Sequence, residues 1–305
     1  MKRGEKKIKT KPILLTLAAT LIVIFIILPL SFISFDGANI GNVALIKVEG
    51  MITSNGAKYL GSSTTSSQTI VNFVEEAEQN KQIEAIVIEI NSPGGTPVAS
   101  EEIATAIKKS SKPTIALIRE VGASGGYWVA SACDLIVANK MSITGSIGVM
   151  SSYLEFSGLM EKYGVGYERI VAGKYKDLGV PFKKLNEEEH NIIVNKANTI
   201  HDIFITEIVN NRNMEEKRVR ELATGEYYLG IEALETGLID ILGDKNTVEQ
   251  ILKEDYNIEK LDYIIYNKPL SFFEMLSGVL TDASFNVGEG IGSMLIKKSS
   301  NLMLI

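Results

Sequence analysis

The sequence predicts an α/β domain with a mostly parallel sheet, placed behind an N-terminal membrane span. Three observations carry this. A strand-turn-helix pattern recurs three times between residues 43 and 138. Its strands are continuous β-branched runs, which marks strands covered on both faces by helices. The chain also opens on a basic segment followed by a long uncharged one.

Residues 1–12 carry six basic side chains and one acidic one, which leaves −11 on the rest of a chain whose formal charge is −6. Ile13 to Ile33 follows, 21 residues without a charge. As a helix, that run crosses a hydrocarbon core of about 30 Å. The basic flank predicts a cytoplasmic segment over 1–12, an anchor over 13–35 and an extracytoplasmic remainder. A cleaved secretory signal is the competing reading. It is disfavoured because the run exceeds the usual ~7–15 apolar residues and no clear small-x-small cleavage site follows.

The body begins with a strand over Val43–Val48. Gly61–Ser67 (GSSTTSS) reads as a flexible loop, and Ile70, Val71, Phe73, Val74 and Ala77 fall at helical spacing over 68–78. EAIVIEI at 84–90 is a doubly buried strand, ended by the sharp turn Asn91-Ser92-Pro93-Gly94-Gly95. Thr96-Pro97 then forms an N-cap and first-turn pair for a helix to Lys109. Thr114–Ile118 is the next strand, followed by a second glycine-rich turn at 121–126 and a small-residue helix over Tyr127–Cys133. Leu135–Ala138, a short strand within 144–149 and a strand over Tyr167–Val171 come next. Asn186 with Glu189 predicts a capping box for the longest helix, whose stripe is Ile193, Ala197, Ile200, Phe204 and Ile208. Helices over 214–223 and from Thr247 complete a single domain over 36–265. The tail, 266–305, is apolar in patches. Its candidate roles are loose order, docking on the membrane surface or packing on another subunit.

The acidic body gives no reason to expect a nucleic-acid partner. One cysteine, Cys133, allows no internal disulfide and no cysteine metal cluster. The two histidines, His190 and His201, lie 11 residues apart, about 16 Å along a helix at 1.5 Å per residue, which is no ligand pair. No P-loop or dinucleotide fingerprint occurs, and no cofactor is expected. What remains is Ser124, between Ala123 and Gly125-Gly126, after a strand and opening a helix. Small neighbours admit a substrate backbone, and the following N–H can stabilise an oxyanion. A hydroxyl needs a base. With no histidine suited, a partly desolvated lysine can serve. Local pattern does not choose which lysine, and a strand-to-helix turn with Ser and Gly also has an ordinary structural reading. The 91–95 turn is a structural turn that can also bring an N–H close to a ligand.

Four motifs together, NSPGG (91–95), ASGGY (123–127), TGSIGV (144–149) and GKYKD (173–177), resemble in order and spacing the signal peptide peptidase SppA family. The resemblance covers about residues 43–250 and implies a ClpP/crotonase-like spiral of β-turn-α units. It implies a serine–lysine dyad with Ser124 as nucleophile and Lys176 as general base, Lys174 being the runner-up. Ser146 would hold the lysine amine, and the backbone N–H groups of Gly95 and Gly125 would form the oxyanion hole. Asp177 would anchor the loop. After the lysine-aspartate pair the family's run is more polar and contains serine, whereas this chain has Leu178-Gly179-Val180-Pro181. Short family members form rings with sites at subunit junctions. The expected partners are therefore signal peptide remnants, the membrane and further copies of the chain, in a dome-shaped octamer. Asn301–Ile305 would reach an active site as a pseudo-substrate. Two other functions fit parts of the pattern: a crotonase-type acyl-CoA enzyme, and a non-catalytic membrane scaffold.

Overall fold

The computed structural model describes residues 41–56 and 64–267, together with Thr20. The anchor expected over 13–35 and the tail from residue 268 onward, with Asn301–Ile305, lie outside the described residues. Among those described, no helix is long and apolar enough to cross a membrane.

The frame is an eight-stranded sheet. Its strands are β1 (Val43–Glu49), β4 (Ala85–Ser92), β5 (Thr114–Ala123), β6 (Leu135–Ala138), β7 (Ile143–Gly145), β8 (Tyr227–Leu229), β9 (Ile241–Leu242) and β10 (Tyr263–Tyr266). The main path runs β10-β1-β4-β5-β6-β9, all parallel, and β7 pairs parallel with β5. Only β8 runs antiparallel, against β7. A two-stranded parallel sheet joins β2 (Met51–Thr53) to β3 (Thr64–Ser66). The mostly parallel α/β expectation therefore holds.

Period-two alternation fills both faces. Ala44, Ile46, Val48, Ile86, Ile88, Ile90, Ala116 and Ile118 enter one core. They pack there with helices α1 (Ser67–Gln79), α2 (Pro97–Lys109), α3 (Gly125–Ser131), α5 (Glu187–Arg212) and α6 (Glu216–Leu222). Val43, Leu45, Ala85, Val87, Ile115 and Leu117 enter the other, closed by Val248, Ile251 and Leu252 of α8 (Lys245–Glu254). Two short helices, α4 (Ser157–Lys162) and α7 (Gly230–Thr236), complete the elements named among the described residues.

Several expectations change in detail. The first part of the GSSTTSS loop lies outside the described residues, but Thr64–Ser66 is the strand β3, and the Ser66 hydroxyl caps α1. Thr96 precedes α2 without a side-chain cap bond, so Pro97 carries that start. The second glycine turn is tighter than expected. Val121–Ala123 pairs with β7 as the end of β5, leaving the reversal to Ser124. Tyr167–Val171 is no strand: it pairs with no strand among the described residues, and Tyr167 packs on Phe182 at 5.5 Å. The capping box at Asn186 and Glu189 is present. Of the stripe on α5, however, only Phe204 and Ile208 are buried, with Ile205; the first half of the helix has no core beneath it. Tyr266, expected in the tail, closes β10 and is buried.

Candidate active site

The site forms at the carboxyl ends of β4 and β5, where open α/β sheets bind ligands. Strand β5 pairs with β6 over Ile115–Ile118 and with β7 over Val121–Ala123. Its end delivers Ser124 to the first turn of α3. Ser124 has φ 52° and ψ −122°. A side chain at positive φ outside glycine is uncommon and is held there only by its surroundings. Two bonds do so: Ser124 N–H donates to the Gly145 carbonyl at 2.8 Å, and Trp128 N–H donates to the Ser124 carbonyl at 2.9 Å.

The 91–95 turn packs directly against this corner. Ser92 Oγ donates to the Gly50 carbonyl at 2.6 Å and accepts from Gly94 N–H at 3.1 Å. Gly95 forms a parallel bridge with Ile52. A Cβ on Gly95 would lie 1.9 Å from the Ile52 carbonyl oxygen. A Cβ on Gly125 would lie 2.3 Å from Ser100 Oγ and 3.1 Å from the Gly95 nitrogen. Gly95 is thus required by the approach of the Ile52 backbone and Gly125 by the Ser100 hydroxyl, and the same crowding brings the two glycines next to each other at the corner. Neither N–H donates to an acceptor among the described residues. For Gly125 this follows from its place in the first turn of a helix. Gly95→Ala is expected to destabilise the fold by about 1–3 kcal/mol, because the strand at Ile52 must move away. A urea midpoint equal to the parent's would show that this bridge yields freely.

Ser124, Gly94, Gly95 and Gly125 line a cavity of about 450 Å³ whose apolar wall is Met51, Trp128, Val149, Met150, Ile200 and Phe204. Trp128 stacks on Phe204 with centroids 4.6 Å apart and planes at 10°. Val149 and Met150 continue into a second groove of about 360 Å³ with Tyr153, His190, Ile193 and Ala197 along α5. The half-buried part of the α5 stripe, Ile193, Ala197 and Ile200, is therefore groove wall, not core. Trp128 and Phe204 escaped the sequence reading as site residues, though Trp128 is the chain's single tryptophan and stands four residues after Ser124, one helical turn along the same face.

Ser146, also at positive φ, follows the Gly145 that holds Ser124. Its N–H donates to the Glu226 carbonyl at 2.9 Å and its hydroxyl to the Gly225 carbonyl at 3.2 Å. Ser124, Gly95 and Gly125 therefore come together, and Ser146 stands one residue from the carbonyl that holds Ser124 without lining the cavity itself. Lys176 does not join them: it lies in an exposed turn, does not line the Ser124 cavity, and makes no hydrogen bond to Ser124. Its ammonium has no partner among the described residues.

Lys174 is placed differently. Its ammonium donates to both Glu188 oxygens, at 2.6 and 2.8 Å, and that carboxylate pushes the lysine above its ordinary pKa. A base that must shed its proton near neutral pH is poorly served by such a partner. His190 stands on the wall of the second groove, and neither His190 nor His201 lines the Ser124 cavity or bonds to Ser124. A larger cleft of about 720 Å³ beside β5 and β7 contains Ser142 and Lys245. The Ser142 hydroxyl is committed to the Arg119 carbonyl, and Lys245 faces Glu249 and the Tyr263 ring. That pair offers no free nucleophile.

A serine on a strained strand-to-helix corner, beside two unengaged backbone N–H groups, defines a site of the serine hydrolase kind. The model of peptidase family S49 matches residues 106–259, a span that contains Ser124, Ser146 and Lys176. A Methanocaldococcus jannaschii protein described as a candidate protease is 31% identical over 227 residues, covering 74% of this chain and 72% of that one. An Enterococcus faecium protein described as a candidate signal peptide peptidase SppA is 33% identical over 242 residues, covering 78% and 70%. The Arabidopsis thaliana protein named chloroplastic serine protease SPPA is 31% identical over 245 residues, covering 78% of this chain and 36% of its own. The chain belongs to peptidase family S49 and is a serine protease. The resemblance carried by the four motifs is borne out.

Proposed function

We propose that the chain is a membrane-anchored endopeptidase that degrades remnant signal peptides, with Ser124 as nucleophile and Lys176 as general base. The observation that carries the reading is the corner itself: Ser124 beside the unengaged N–H groups of Gly95 and Gly125, at the mouth of an apolar cavity. Lys176 Nζ takes the hydroxyl proton as Ser124 Oγ attacks the scissile carbonyl. The two N–H groups hold the resulting oxyanion. As the C–N bond breaks, the lysine returns the proton to the departing amine, leaving an acyl-enzyme. Water then attacks the ester, giving its proton to Lys176, which passes it back to Ser124 Oγ. Ser146, whose hydroxyl donates to the Gly225 carbonyl in the single chain, would orient the lysine amine.

The apolar wall suits the apolar cores of signal peptides, and a relative carries that substrate in its name. Anchoring over 13–35 would hold the site, outside the cytoplasm, beside peptides left in the bilayer, raising their effective concentration. The finer architecture is a ClpP/crotonase-like spiral assembled into a ring. Support for the ring comes from the segment between β7 and α5. There Met150, Leu154, Leu159, Tyr163, Val165 and Ile170 are each exposed, an apolar content that a surface facing only water does not need. Lys176 lies in that same segment, so a neighbouring copy can bring it to a Ser124 cavity.

The test is hydrolysis of fluorogenic peptide amides by the full chain in detergent. Peptides with an apolar or small residue before the scissile bond should be cleaved about 10-fold or more faster than those with a charged one. Turnover of an acyl-CoA thioester with no cleavage of any peptide would overturn the reading.

A further inference from the structure

Lys176 is bracketed by a single guanidinium. Arg169 Nη2 donates to the Lys174 carbonyl at 2.9 Å, two residues before Lys176. The same Arg169 grips the carboxylate one residue after it: Nε to Asp177 Oδ2 at 2.6 Å and Nη2 to Oδ1 at 2.9 Å. Asp177 is only 5% exposed. Its Oδ2 also meets Lys183 Nζ at 3.3 Å, and Lys183 passes on to the buried carboxylate of Glu189. Glu189 is fixed in turn by the Asn186 capping box, accepting from Asn186 N–H at 3.1 Å. On the other side, Lys174 and the Tyr175 hydroxyl both bind Glu188. Three of the four side chains from 174 to 177 are thus tied to the first turn of α5, directly or through Lys183, and Lys176 alone is left unengaged.

We propose that the alternating chain Arg169–Asp177–Lys183–Glu189 is the positioning element for Lys176. The proposal rests on the reading of Lys176 as general base. These four are positioning residues, since none lines the Ser124 cavity. A turn that merely needed closing has its own backbone bonds, Lys176 N–H to the Gly173 carbonyl at 3.2 Å and Leu178 N–H to the Tyr175 carbonyl at 3.1 Å. The guanidinium adds a fixed frame across the segment that carries the base, referred to a rigid helix terminus. Misplacement of a reacting group by about 1 Å costs on the order of 10²-fold in rate.

The charges alternate and cancel, so the lysine sits beside a neutral array. Arg169 holds the Asp177 carboxyl well below the usual carboxylate range, and Lys183 lowers Glu189 as well. A depressed carboxylate contributes stability that is present above its unfolded pKa, about 3.9 for Asp, and is lost as pH falls through the lower folded value. Both carboxylates of the array are therefore ionised through the neutral and alkaline range, and the titratable neighbours of Lys176 along the turn are Lys174, Tyr175 and Asp177, the first two bound to Glu188.

The experiment is the pH–rate profile of the full chain in detergent, with variants normalised to folded protein by their melting curves. Arg169→Ala should lower kcat on the alkaline plateau by about 10-fold or more with KM unchanged. It should also move the midpoint to higher pH, because the array is left net negative. Arg169→Lys should return the midpoint while recovering only part of the plateau, since an ammonium cannot span both the Lys174 carbonyl and the Asp177 carboxylate. Glu189→Gln keeps the cap acceptor and serves if Arg169→Ala does not fold; it should lower the plateau several-fold. A plateau within about two-fold of the parent in folded Arg169→Ala, or in Glu189→Gln, overturns the proposal. So does full recovery of the plateau in Arg169→Lys. With Lys176→Ala inactive at every pH, those results sink the bracket alone; activity in Lys176→Ala sinks the base assignment and the bracket with it.

Discussion

Ser124→Ala is expected to abolish peptide hydrolysis, with kcat/KM falling by on the order of 10⁴-fold or more, while the melting temperature stays near the parent's. The two halves of this expectation have separate origins. Loss of the hydroxyl removes the nucleophile, and the backbone N–H groups of Gly95 and Gly125 cannot form an acyl-enzyme without it. The fold is spared because the Ser124 corner is fixed by main-chain bonds to Gly145 and Trp128, which alanine keeps. Alanine also keeps the strain of a Cβ at φ 52°. Ser124→Gly removes that strain and should raise stability by about 1 kcal/mol while being equally inactive. Thermal melts and an active-site titration with a serine-directed phosphonate check all three proteins. Residual turnover near the parent rate in Ser124→Ala would move the nucleophile elsewhere.

The second large effect is a rescue. Ser124→Ala and Lys176→Ala should each be inactive alone. Mixed under conditions that let subunits exchange, they should regain up to roughly a quarter of parent activity. Half the subunits then carry an intact serine, and half of their neighbours an intact lysine. The expectation comes from the geometry of one chain, in which Lys176 neither lines the Ser124 cavity nor bonds to Ser124. Lys174→Ala should remain active, since its ammonium is occupied by Glu188. No recovery on mixing, with both single variants inactive and exchange shown by a labelled subunit, would place the dyad within one chain.

Much of the fold was legible because its signals are local. The run EAIVIEI announces β4 by β-branched content alone, and the Asn186–Glu189 box announces α5 four residues at a time. Strand β10 was not legible, because it is held by β1 at the far end of the chain, Val43 against Tyr263, and a four-residue run carries little periodicity of its own. Tyr167–Val171 misled for the opposite reason: its residues suit a strand, but nothing adjacent pairs with them. At the site, Ser124 could be read from its place between a strand and a helix. Lys176 could not, since an exposed turn has no local mark of chemistry, and only the order of four motifs selected it over Lys174. Trp128 and Phe204 meet although they stand 76 positions apart, a contact that spacing cannot announce.

The separation of Lys176 from the Ser124 cavity also bears on how such an enzyme can be made safely. A polypeptide just released from the ribosome would hold an unactivated hydroxyl on one part and an idle amine on another, and would be inert toward the proteins crowded around it. If the site is shared between subunits as proposed, cutting power would appear only as copies gather, and dilution would withdraw it. Latency of this kind needs no removable pro-segment and is reversible, with local abundance as the switch.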